Sequence, residues 1–214
     1  MGTLTVTEFS TLDGVAQAPG GSEEDREGGF EHGGWQMALH DEDAGAVMFE
    51  RASSMDALLL GRKTYDIFSA YWPNAPEELS FTGLLNRVPK YVASRTLSGP
   101  LSWNGSTLLE GELAESVARL KEAHDEVHVI GSLDLVQSLL RNRLVDRLNM
   151  WLYPVLLGSG KPVFGAGTVP AQLRLSESRT YPNGTLQLAY ELAGTPSYGS
   201  PQELGGGAEG AGSD

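Results

Sequence analysis

Ala57-Leu58-Leu59-Leu60-Gly61-Arg62-Lys63-Thr64-Tyr65 is the stretch on which the fold turns. Its four leading residues are apolar without alternation, as in a buried strand of a parallel sheet. Gly61 closes the run, and Thr64 to Ala70 has the pattern of a short helix. A strand that leads through a glycine turn into a helix is the repeating unit of an α/β sheet.

Outward from this stretch the alternation recurs. On the N-terminal side, Ala44 to Ala52 reads as a helix. Leu4 to Ser10 reads as a half-buried strand carrying Leu4, Val6 and Phe9, with a turn at Asp13-Gly14. Ala18 to Gly34 is rich in glycine and acids and reads as a long mobile loop, a length that goes with function or disorder. On the C-terminal side, Lys90 to Ala93, Ser106 to Leu109 and Val127 to Ile130 read as strands. Glu112 to His124 reads as a helix with Leu113, Val117 and Leu120 on one face, and the helix opened by Gly131-Ser132 carries Leu133, Val136, Leu139 and Leu140. Arg147 to Leu157 is a strand broken by Pro154, and Leu173 to Thr180 pairs with Thr185 to Leu192 around Asn183-Gly184, a hairpin signal. The expected fold class is α/β, a central mostly parallel sheet with flanking helices and an antiparallel C-terminal strand. One domain is expected over residues 1–193, with a disordered Gly/Ser/acidic tail over 194–214, since the tail has almost nothing to bury.

Composition narrows the function. The chain has 214 residues, enough to bury a substantial core in one domain. It has no cysteine, which excludes disulfides, thiol nucleophiles and thiolate metal sites. The formal net charge of −13 repels nucleic acid and anionic lipid, so neither is an expected partner. No signal sequence or membrane span is visible, and the expected location is cytoplasmic. His124 ends a helix and His128 lies in a strand, so no metal site is expected from them. There is no G-x-S-x-G elbow, no phosphate loop of the G-x-x-x-x-G-K-[ST] type and no G-x-G-x-x-G.

Three features remain, each at the C-terminal end of an expected strand, where ligands of open α/β sheets bind. Gly61-Arg62-Lys63-Thr64 joins a glycine turn to a helix start beside two cations. Ser94-Arg95-Thr96 offers two hydroxyls and a guanidinium, a set suited to a terminal phosphate such as the 2′-phosphate of NADP. In Gly131-Ser132-Leu133-Asp134 the glycine permits close backbone approach and Ser132 can cap the following helix. Taken singly, these are equally ordinary turns and surface charges. Their recurrence in a strongly acidic chain points to a ligand with separated anionic groups.

The same segments resemble the dihydrofolate reductase-like superfamily, and within it the C-terminal reductase domain of bacterial bifunctional riboflavin-biosynthesis deaminase-reductases and its stand-alone relatives. The likeness runs through Ser10-Thr11-Leu12-Asp13-Gly14, Leu60 to Tyr65, Pro89 to Leu97, Val129-Ile130-Gly131-Ser132, Val145-Asp146-Arg147-Leu148 and Pro154 to Phe164. It implies an NADPH-dependent oxidoreductase, a small-molecule substrate and a homodimer. By position it implies cofactor binding by Gly61, Arg62, Lys63 and Thr64, by Ser94, Arg95 and Thr96, and by Ile130, Gly131, Ser132 and Leu133. Thr11, Gly14, Val15 and Ala16 would border the nicotinamide, with Val155 to Gly160 as a further contributor. Asp43 is the nearest positional match to the carboxylate that assists protonation in dihydrofolate reductases, and Trp35 is a candidate wall of the substrate pocket. Reduction of the ribosylaminopyrimidine of riboflavin biosynthesis is the reference activity; dihydrofolate reduction and a non-catalytic, dimeric nucleotide-binding role stand as alternatives.

Overall fold

The computed structural model describes residues 1–200. Strand β2 (Ala57–Gly61) alternates between two cores, as an apolar run without polar breaks requires. Ala57 and Leu59 join a cluster with Val117, Val136 and Leu139, whereas Leu58 and Leu60 join Tyr65, Leu84 and Val92 on the other face. The first cluster lies under helices α4 (Leu113–Ala123) and α5 (Leu133–Arg141). The second lies under α2 (Arg62–Tyr71) and α3 (Ser80–Arg87).

The other strands are β1 (Thr3–Thr11), β3 (Lys90–Ala93), β4 (Ser106–Leu108), β5 (Glu126–Ile130), β6 (Arg147–Tyr153), β7 (Leu173–Thr180) and β8 (Leu186–Leu192). They form one sheet in the order β4-β3-β2-β5-β1-β6-β8-β7. All neighbours from β4 to β6 are parallel, and β8 is antiparallel to both β6 and β7. This is a dihydrofolate reductase-like α/β fold. Its mostly parallel sheet, flanking helices and antiparallel C-terminal strand match the sequence expectation. The hairpin turn closes with Gly184 at φ +85° and with the Asn183 side chain accepting from the Thr185 N–H at 2.9 Å.

A third cluster packs Val15, Phe30, Trp35 and Ala44 against Trp151, Tyr153 and Tyr181. It includes helix α1 (Glu42–Ala52), which starts on an Asp41 cap that accepts from the Ala44 N–H at 2.9 Å. This cluster corrects the reading of residues 18–34 as a loose loop. Phe30 and Trp35 are buried, the Trp35 indole donates to the Gln17 carbonyl at 2.8 Å, and the Gly34 N–H donates to the Ala18 carbonyl at 2.8 Å. The segment therefore has its own apolar anchor.

Two further differences have local causes. Helix α3 carries no sequence signal: it is eight residues long, holds Gly83 and has no side-chain N-cap. An internal glycine costs about 1 kcal/mol against alanine, so its stability comes from burying Thr82, Leu84 and Leu85. On α5 the buried stripe is Leu135, Val136, Leu139 and Leu140, so Leu135 takes the buried place read for Leu133. Of the expected tail, Gly194 to Ser200 has no helix or strand and residues 201–214 lie outside the described residues.

Leu59 sits at the centre of this packing with no accessible surface. Leu59→Ala is expected to lower stability by about 2–5 kcal/mol, since the cavity between β2 and two helices cannot collapse fully. Urea unfolding of the two proteins measures it, and a loss under about 1 kcal/mol would contradict the packing described.

Candidate functional site: a cleft across the strand ends

Helices α2 and α5 leave adjacent strands β2 and β5 on opposite faces of the sheet. Their N-termini meet beside each other, and no side chain caps either one. The first N–H groups of a helix have no intrahelical acceptor and carry the positive end of its dipole. Two such ends side by side make an anion site. The contact that joins them is the Gly61 N–H donating to Ser132 Oγ at 2.9 Å. Ser132 was expected to cap α5; instead its hydroxyl reaches across to Gly61 and leaves the α5 N–H groups free. It does so from a left-handed backbone, φ +67° after Gly131 at φ +60°, a conformation that a non-glycine residue holds only when its surroundings enforce it. A Cβ on Gly61 would stand 3.4 Å from Ser132 Cβ, in ordinary contact, so the two turns pack closely here.

The third strand end adds the outer part. After β3, Ser94 Oγ accepts from the Thr96 and Leu97 N–H groups at 3.1 and 3.0 Å, which holds the turn, and its hydroxyl lies 3.4 Å from that of Thr96. Arg95 is exposed and has no ion pair among the described residues. The Gly61–Thr64, Ser94–Thr96 and Ile130–Leu133 segments all line one cleft of about 1080 Å³, with Ala16, Gln17 and Ala18 at its other end. That volume is at the upper end of small-molecule sites.

Acids from residues 24–27 occupy the cations of this cleft. Glu27 bridges Lys63 and Lys161, the latter at 2.6 Å, and Asp25 pairs with Lys161. The two lysines, Lys161 foremost, hold the Glu27 carboxyl down to about 2. The clasp is therefore complete above pH 4.5 and loosens only as the pH falls toward 2. Arg62 is paired with Asp66 at 3.1 Å one helical turn on, an exposed contact worth a few tenths of a kcal/mol.

Several residues expected at the site lie elsewhere. Thr11, Gly14 and Val15 do not line the cleft; of that segment only Ala16 does. Thr11 donates to Asp13 and accepts from the Val15 N–H, Asp13 accepts from Leu157 and Gly158, and Val15 is buried among aromatic rings. These contacts clamp the β1 turn to residues 155–160, where Gly160, at φ +127°, lies so close to Val15 and Phe30 that a Cβ would overlap them. Trp35 is buried against Tyr153 rather than walling the cleft. Asp43 is exposed on the first turn of α1 and does not line it either. The buried carboxyl that does line it is Glu8 of β1. It is 2% exposed, its Oε1 has no partner, and burial pushes it up to about 8. One signal marks it in the sequence: the inward positions Leu4 and Val6 continue to an acid. Lys161 lies in the loop after β6 and carries no sequence signal of its own.

Residues 2–187, from the start of β1 into β8, match the RibD C-terminal domain family. The chain belongs to that family. Among curated relatives of this RibD C-terminal domain chain, the Bacillus subtilis (strain 168) protein YyaP, itself uncharacterized, is 28% identical over 160 residues, covering 73% of this chain and 83% of its own. A protein of Shewanella sp. PV-4 assigned provisionally to riboflavin biosynthesis shares the fold with a TM-score of 0.69 at 22% identity, over 89% of this chain and 99% of that one. The dihydrofolate reductase of Enterococcus faecalis, solved with NADP(H) and RAB-propyl, gives a TM-score of 0.57 at 11% identity, over 89% of this chain and 96% of that one.

Glu27→Gln removes the carboxylate that competes for Lys63 and Lys161. Inorganic pyrophosphate, titrated calorimetrically, is expected to bind the variant up to about fivefold more tightly, the range of exposed ion pairs. Unchanged or weaker binding would mean that Glu27 does not compete for the anion site.

Proposed function

We propose that this chain is an NADPH-dependent reductase of a small heterocyclic substrate, similar to 5-amino-6-(5-phosphoribosylamino)uracil reductase of riboflavin biosynthesis. The observation that carries the reading is the convergence of three separated anion sites on one cleft of dinucleotide size. Membership of the RibD C-terminal domain family supports a riboflavin-pathway, reductase-like activity. The NADP(H) complex of the structurally similar dihydrofolate reductase supports the choice of cofactor.

In this reading the paired N-termini of α2 and α5 take the pyrophosphate, with Gly61 and Gly131 admitting it close to the backbone. Lys63 and Lys161 exchange Glu27 for phosphate oxygens. Ser94, Arg95 and Thr96 take the 2′-phosphate. When bound, the nicotinamide supplies the hydride, so the protein needs no nucleophile of its own and its residues bind, orient and exclude water. The Ala16–Ala18 end of the cleft then receives the ring and the substrate. Dihydrofolate is the less favoured substrate, because Asp43 stands outside the cleft. The homodimer belongs to the same proposal.

NADPH is expected to bind roughly tenfold or more tightly than NADH, the scale of one charge-assisted contact. Arg95→Ala is expected to remove most of that gap. Titration of both cofactors against both proteins decides it, and equal affinities in the parent overturn the assignment of Ser94 and Arg95. NADPH oxidation is then followed with a panel of pterins, flavin precursors and conjugated carbonyls. Tight binding without turnover on any of them favours the non-catalytic alternative.

A further inference from the structure

The anion sites account for the cations and helix ends of the cleft and leave one group unexplained. Glu8 lies on β1, between β5 and β6, where its neighbours in the sheet are Met150 and the chain leaving Ile130. The side chain is almost fully buried, lines the cleft, and has a carboxyl oxygen with no hydrogen-bond partner. A carboxyl at a central strand position of a buried sheet face has no packing role that leucine would not fill better. An orphaned acceptor in a ligand cleft is explained when the ligand supplies the partner.

We infer that Glu8 contacts the nicotinamide ring of the bound cofactor and sets which oxidation state of that ring the cleft prefers. The inference rests on the reading of the cleft as a dinucleotide site. With phosphates at Ser94–Thr96 after β3 and at the helix N-termini after β2 and β5, the strand order β3-β2-β5-β1 carries the nicotinamide end toward β1, where Glu8, Phe9 and Ala16 to Pro19 line the cleft.

The chemistry follows from charge. The reduced ring is neutral and the oxidised ring is a cation. A protonated Glu8 donates to or accepts from the ring's carboxamide without placing charge in the interior. An ionised Glu8 opposite the cationic ring forms a buried pair, whereas opposite the neutral ring it is an uncompensated charge. Charged side chains around the cleft are Arg62 and Lys63 on α2, Asp134 and Arg141 on α5, Glu24, Asp25, Glu27 and Lys161 on the loops, and Arg95 and Glu112 at the outer end. None of them shifts Glu8; burial alone raises it, to about 8. The free protein therefore holds the acid form at neutral pH. Binding the oxidised ring should expel that proton and binding the reduced ring should retain it.

The sign is fixed by linkage. Affinity for NADP⁺ rises with pH through about 8 as the proton no longer has to be expelled, and affinity for NADPH falls above about 8 as the carboxyl ionises. Calorimetric titration of the full chain with NADP⁺, NADPH and 2′-phospho-ADP-ribose, between pH 6.5 and 8.5 and in buffers of different ionisation enthalpy, reads this out. The preference for NADPH over NADP⁺ is expected to fall by roughly tenfold over that range, with up to one proton released on binding NADP⁺ near pH 7. In Glu8→Gln the preference becomes independent of pH and the proton release disappears. 2′-Phospho-ADP-ribose, which lacks the ring, binds both proteins alike and reports that the variant is folded. A pH-independent preference in the parent, or a variant that follows the parent, overturns the role of Glu8 and leaves the cofactor reading standing. If neither dinucleotide binds, both fall together. If Glu8→Gln does not fold, the parent's own pH profile and proton count still decide.

Discussion

The cleft depends on one hydrogen bond, from the Gly61 N–H to Ser132 Oγ, across the gap between β2 and β5. At this gap the helix following β2 goes to one face of the sheet and the helix following β5 to the other, so the two strand ends open a crevice. The bond holds the two helix N-termini together at the crevice and fixes Ser132 in its left-handed conformation. A serine that capped its own helix would close one anion-binding end. By bonding across, it leaves both open. The geometry of the site thus follows from sheet order and from one side chain committed to its neighbour instead of itself.

In the proposed reading the same cleft draws anions toward a protein of net charge −13. Fixed dipoles solve part of this, because helix N-termini cannot be neutralised by distant acids. The lysines behave differently. Lys63 and Lys161 are held by Glu27, and Asp25 adds to Lys161, from a segment whose other end is anchored by Phe30 and Trp35 in an aromatic core. The acidic segment therefore satisfies the cations without an external ligand, and its attachment to the core keeps it at the cleft mouth. Arg95, exposed and without an ion pair among the described residues, is held by no such acid.

Fold class was legible because its signals are local. An unbroken apolar run such as Ala57 to Leu60 needs two covering layers, and the Asn183-Gly184 pair suits a tight hairpin. Helix α3 was not legible, since its stability lies in what Leu84 and Leu85 touch rather than in its own propensity. At the site, the segments Gly61–Thr64, Ser94–Thr96 and Ile130–Leu133 could be named because strand ends of α/β sheets gather at one edge. Thr11, Gly14, Val15, Trp35 and Asp43 were placed by position in a resemblance, and position along a chain does not say which way a side chain faces. Thr11 turned to brace Asp13, Val15 and Trp35 turned inward, and Asp43 stayed on an exposed helix start.

By itself the sequence determined that this chain builds a helix-covered, mostly parallel sheet with glycine, hydroxyl and cationic segments at its strand ends, because hydrophobic periodicity and glycine turns are properties of neighbouring residues. Only the tertiary structure decided that Ser132 bonds to Gly61, that Glu27 answers Lys63 and Lys161, and that Glu8 is a buried acid lining the cleft. Those pairs are joined across 36 to 134 positions of chain, and burial and charge at such distances are set by how the layers pack.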